Sequence, residues 1–267
     1  MKLQFQWDDQ MEELVSELCT VSENIASQLK SLLRGRDKDA LIQLFSDQSA
    51  LVASVIDYCR KPPPRSCQTA GTLLRTLLEG CISIFAFCKD PKGRAELYLD
   101  FLAVLDFRFA CSDEKNIGCP FLRKPGAAES AKSRKELAAQ RLAAFGSHFL
   151  VSKNSQGAPT DALQQALRPG QERPGRFRKT WYPETREQVL SSEGMRWLHE
   201  VIYKRLCSCV HSDAAASKIL EKLKTESIGM FALELWGAAM YRIVDTFQIG
   251  LPASHKCAIR IFYTGLQ

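Results

Sequence analysis

The chain contains no uninterrupted apolar run of eighteen residues, the length a membrane-spanning helix requires; the nearest approach, Leu73 to Cys88, is broken by Arg75 and Glu79. Its opening, MKLQFQWDDQMEEL, turns acidic before any apolar stretch develops, which does not fit a secretory signal. A cytoplasmic location with no membrane partner is the expectation. There is no CxxC pair and no HExxH. Cys207 and His211 could share a helix face, and Cys111 and Cys119 could meet across a loop, but two ligands do not make a tetrahedral zinc site. Neither a metal nor a cofactor is expected. No internal repeat is visible, and no helix-turn-helix or zinc finger accompanies the basic residues, so sequence-specific DNA reading is not expected.

What is present is an ordinary globular composition: 267 residues, 45% of them apolar, enough to bury one large core or two modest ones. Ten cysteines are many for a reducing compartment. Cys19, Cys59, Cys81 and Cys88 stand singly in apolar patterns, as small buried hydrophobes do. The net charge of +6 is concentrated, with twelve Lys or Arg against four Asp or Glu between residues 120 and 180. Any argument for an anionic partner therefore belongs first to that segment.

Apolar residues recurring at three and four predict a helix from Asp8 to about Arg34, ended by Gly35, and a second from about Asp37 to Tyr58. Together they form an N-terminal helical hairpin over residues 1–60. Pro62, Pro63 and Pro64 enforce an extended connection. A main bundle over 66–267 follows, with helices at about Ser66–Cys88, Lys92–Phe109, Ala131–Phe149, Pro183–Val189, Glu193–His211 with Ser192 as its N-cap, a helix from Ala214, and Ser227–Gln248. An insertion at about 111–180 is rich in Gly, Pro, Gln and Arg, too long for an ordinary connection. The tail 256–263 carries no clear pattern. The fold class is all-α: a helical bundle core with a basic, loop-rich insertion.

Arg75 and Glu79 lie four apart inside the most apolar helix and so project from one face. Burying both is costly unless further hydrogen bonds satisfy them. Their expected partners come from the stretch RLCSCVHSD and the turn before it: Tyr203, Ser208, His211 and Asp213. The expected polar centre comprises Arg75, Glu79, Ser208 and Asp213. In the basic run, Arg173, Arg176, Arg178 and Lys179 approach Trp181 and Tyr182, a combination able to hold phosphates while an aromatic ring stacks on a base. RNA is the candidate ligand, with a second copy of the chain or another protein as further candidate partners.

Two resemblances rest on these residues. Arg-x-x-x-Glu, a later tryptophan segment and Ser-x-x-His, here Arg75, Glu79, Trp181, Ser208 and His211, resemble a mostly helical bacterial family of unknown function, over about residues 45–250. Arg205 and His211, five residues apart in between, resemble the Arg-x4-6-His pattern of the HEPN ribonucleases of toxin and defence systems, although Leu206 stands where that pattern favours a polar residue. This second resemblance implies metal-independent RNA cleavage at a groove between two copies, with His211 transferring protons and Arg205 holding phosphate. On a regular helix the two would stand roughly 240° apart, so their convergence requires the helix to end or bend between them.

Overall fold

The computed structural model of the chain describes residues 9–60, 67–117, 119, 125–151, 159–210 and 225–267. Among them the protein is all-α, its β structure limited to one isolated antiparallel bridge between Leu150 and Phe177. Two compact units are present, one of residues 1–95 with 184–267 and one of residues 96–183.

The first unit is built on α3 (Cys67–Lys89). Its second half is buried nearly all round, from Leu77 and Leu78 through Cys81, Ile82, Ile84 and Phe85 to Cys88. A helix apolar on every side belongs in an interior. The segment Thr69–Lys89 is also long and apolar enough to cross a membrane by length and composition, and 67% of its most apolar window is buried inside the protein. Against α3 pack α2 (Gly35–Arg60) and α9 (Thr225–Phe247), which also touch each other. Phe45 of α2 meets Trp236 of α9 with ring centroids 4.9 Å apart. Burial of large apolar side chains, roughly 1.5–3 kcal/mol each, holds this trio together.

Helix α1 (Asp9–Leu32) lays a stripe of Met11, Val15, Leu18, Val21, Ile25 and Leu29 onto α2 and α9. The four-and-three spacing of the sequence thus becomes a packing seam. Gly35, expected to end α1, opens α2 instead, with a φ of 58°. α10 (Ala253–Leu266) forms where the sequence showed no pattern, and packs along α9. The two approach so closely at Gly237 that a Cβ there would collide with the ring of Phe262. Gly237→Ala is therefore expected to destabilise the protein by about 1–3 kcal/mol, read as a lower midpoint in chemical denaturation. An unchanged midpoint would mean that α10 can swing away at no cost.

The second unit begins within α4 (Pro91–Lys115), which continues past the expected end at Phe109. It contains α5 (Ala127–Phe145), a 3-10 turn over Gly146–Phe149 and α6 (Pro159–Leu167). α6 lies in what the composition suggested was loop. Pro159 stands in its first turn, where the missing amide hydrogen costs nothing, so this proline marks a helix start. Phe101 on Phe149 and Phe107 on Phe177 form edge-to-face pairs at 5.5 and 5.9 Å in the core of this unit.

Candidate functional site

Three elements of the first unit meet beside the exposed end of α3: α7 (Arg186–Ser192), a π-helical segment (Leu198–Tyr203), and α8 (Lys204–Val210) that continues from it. α7 starts on a capping box, in which the Thr185 hydroxyl accepts from the Gln188 amide at 3.2 Å and the Thr185 amide donates to Gln188 Oε1 at 2.8 Å. Just before it, Glu184 accepts from Arg94 Nη2 at 2.6 Å. These contacts fix the backbone from which Arg186 projects. Ser192, expected to cap a following helix, closes α7 instead, its hydroxyl donating to the Val189 carbonyl at 2.7 Å. Gly194, with a φ of 76°, then turns the chain into the π segment.

Three donors converge on one carboxylate oxygen. Tyr203 donates its hydroxyl hydrogen to Glu79 Oε1 at 2.7 Å; Arg75 Nη2 lies 3.2 Å and Arg186 Nη2 3.3 Å from the same atom. Arg75 also reaches the Tyr203 hydroxyl at 3.5 Å. The guanidinium carbons stand 5.6 Å (Arg75) and 5.4 Å (Arg186) from the centre of the Tyr203 ring, within cation–π range. His199 stacks on that ring at 5.4 Å, nearly parallel at 16°. The wider turn of a π-helix brings residues four apart almost into line, which is the geometry a stack needs, and such segments are frequent at functional sites.

Burial works against the Arg75 charge, but the Tyr203 hydroxyl and Glu79 outweigh it and hold its pKa above the ordinary arginine value. Burial also pushes the Tyr203 phenol up, and Glu79 adds to this, so Tyr203 is a hydrogen-bond donor at neutral pH. Two guanidiniums thus share one carboxylate, and the centre keeps an excess positive charge. The Nε atoms of Arg75 and Arg186 are buried with no hydrogen-bond partner among the described residues, as is His199 Nδ1, whose nearest carboxylate, Glu187, is 3.9 Å away. Buried donors in this state are rare and costly. Unsatisfied donors beside surplus positive charge suit an incoming anion with several acceptor oxygens.

Of the partners expected for Arg75 and Glu79, Tyr203 is placed against them. Ser208 belongs to α8, while His211 and Asp213 lie outside the described residues. Arg205 is exposed on α8 and lines a cavity together with residues of α3, the π segment and α9. Arg186 and His199 were not anticipated. The capping-box pattern around Arg186 was a legible signal for the first, and nothing in the sequence marks a π segment.

In the second unit the strap around Phe177 is held by Arg108, whose Nη2 donates to the carbonyls of Phe177 and Arg178 at 2.5 and 2.6 Å. Arg173, Arg176 and Lys179 are exposed on it, and Arg178 is half-buried. Trp181 and Tyr182 are buried, packed edge to face on one another, with Trp181 also against Tyr98. Their faces therefore point into the protein, whereas stacking on a base needs an exposed ring. Part of the local basic excess is neutralised, since Lys135 pairs with Glu114 and Glu172 and Arg134 with Asp113.

The family model described as a family of unknown function (DUF5677) matches residues 38–228, well over half of the chain. The chain belongs to that family. No curated protein and no solved structure matches it.

Proposed function

We propose that this member of a family of unknown function binds RNA, gripping a phosphate at the centre formed by Arg75, Arg186, Tyr203 and Glu79. The observation that carries this reading is the pair of buried, unsatisfied Nε donors on two guanidiniums that share a single carboxylate. A guanidinium edge presents parallel N–H groups to two phosphate oxygens, and the neighbouring imidazole can supply a third donor. Phosphate contacts of this kind give affinity without sequence preference. The exposed Arg173, Arg176 and Lys179 support the same ligand class through charge.

A catalytic form of this reading is the metal-independent endoribonuclease implied by the HEPN-like spacing of Arg205 and His211. Exposure of Arg205 at the mouth of a cavity favours it. In that case Arg205 would hold the scissile phosphate, His211 would move the proton, and a second copy would complete the groove in a toxin or defence setting. The test incubates chelator-treated protein with mixed RNA, beside His211→Ala and Arg205→Ala. Loss of cleavage in both variants is the expected result for an enzyme. Binding without cleavage by the intact protein leaves the RNA-binding reading and removes the enzymatic one.

A further inference from the structure

We propose that the centre admits singly charged phosphodiesters in preference to doubly charged phosphomonoesters, and that Glu79 is the residue that sets this preference. The selectivity rests on the phosphate-binding reading above and deepens it. Glu79 Oε1 takes all three donors, the Tyr203 hydroxyl at 2.7 Å, Arg75 Nη2 at 3.2 Å and Arg186 Nη2 at 3.3 Å. The carboxylate thus stands where one oxygen of a bound anion would stand. The Nε donors of the same two guanidiniums are left unsatisfied. An anion that takes them shares both arginines with Glu79 and lies beside its negative charge.

Arg75 and Arg186 supply two positive charges and Glu79 one negative, a surplus of one. Tyr203, held protonated by burial and by Glu79, adds a donor and no charge. On the His199 side, Glu187 and Glu200 share Arg196 at 3.1 and 2.8 Å, which adds nothing to the surplus. The Arg75 and Arg186 side chains are 21% and 30% exposed, so water screens these charges only in part. A phosphodiester, with one negative charge, neutralises the surplus. A phosphomonoester carries nearly two at neutral pH; the second exceeds the surplus and meets the Glu79 carboxylate. Withdrawing an ion from water costs in proportion to the square of its charge, whereas its attraction to the surplus rises only in direct proportion. The dianion is therefore the poorer ligand here, although an open basic surface would hold it more tightly. Glu79 turns a pair of arginines that alone favour the dianion into a site for internal linkages.

The probes are adenosine 5′-phosphate and its methyl ester, which differ by one methyl group and one charge. Both are titrated at about pH 7.5, where the monoester is a dianion, into the intact protein and into Glu79→Gln, with binding read from the Arg75 and Arg186 Nε–H signals in proton–nitrogen spectra. The intact protein is expected to bind the methyl ester roughly tenfold more tightly than the monoester. Glu79→Gln, which keeps an oxygen acceptor for Tyr203, should reverse the order by strengthening the monoester. Equal affinities in the intact protein, or a preference for the monoester, would overturn the selectivity and leave phosphate binding in place; this comparison needs no variant to fold. An unchanged preference in folded Glu79→Gln would overturn the role of Glu79. If neither probe moves the Nε–H signals at millimolar concentration, the phosphate-binding reading fails, and the selectivity with it.

Discussion

Replacing Arg75 and Arg186 together by alanine is expected to weaken RNA binding by roughly thirtyfold, the equivalent of about 2 kcal/mol, with the fold retained. Hydrogen bonds to charged groups contribute about 1.5–3 kcal/mol each, and two that act on one phosphate are not additive. The fold should survive because the Tyr203 hydroxyl still satisfies Glu79 at 2.7 Å, and the carboxylate is one-third exposed, with a side-chain accessibility of 32%. The double variant should also flatten the dependence of log affinity on log salt by about 0.7 for each phosphate that is no longer neutralised, as expected for single strands. Fluorescence anisotropy with labelled mixed-sequence RNA at several salt concentrations reads both quantities. A variant that binds as tightly and with the same slope would relegate the two arginines to a structural ion network.

Glu193→Ala is expected to cost about 3 kcal/mol of stability, the largest loss foreseen for a polar side chain in the first unit. Its carboxylate is almost fully buried, with 3% of the side chain exposed; it accepts from Tyr263 at 2.7 Å and stands 3.2 Å from Arg242 Nε. Its backbone carbonyl accepts from Gln267 at 3.2 Å, so one residue ties the end of α7 to α9 and α10. Alanine would leave the Arg242 charge, among the described residues, with Asp245 at 3.5 Å. Glu193→Gln, which keeps an acceptor for Tyr263, should cost less than half as much. The same cluster makes an alkaline prediction. Burial, with Glu193 beside it, pushes the Tyr263 phenol up to about 12. Its unfolded value lies near 10. The folded state therefore holds the proton more tightly, and this contribution is complete below about pH 10 and lost as pH rises toward about 12. Denaturation midpoints measured across that window should fall in the intact protein and fall less in Glu193→Ala.

Sequence patterning carried the helical class because the seam on α1 is periodic at three and four, and the apolar girth of α3 runs on far longer than a strand would. It failed where a helix lacks that signal. α6 begins on a proline, and α10 buries only Ile259 and Leu266 among its fourteen residues, too few to register as a stripe. The polar centre was half legible for a related reason. Arg75 and Glu79 are conspicuous because they interrupt an apolar helix, and Tyr203 lay within the stretch expected to oppose them. Arg186 and His199 sit in polar surroundings where a charge is unremarkable, and only the packing of α7 and the π segment against α3 gives them a role. Conversely, Trp181 and Tyr182 look like exposed stacking residues beside a basic run, yet the aromatic ring of Tyr98 draws them inward.

The most direct test of the proposed phosphate site is to watch its unsatisfied donors. In proton–nitrogen correlation spectra the Nε–H signals of Arg75 and Arg186 can be assigned by their disappearance in Arg75→Lys and Arg186→Lys. On titration with a short 5′-phosphorylated RNA in chelator, both signals are predicted to shift downfield together and saturate with the binding curve. Saturable RNA binding that leaves both signals where they were would contradict the account and place the ligand elsewhere on the protein.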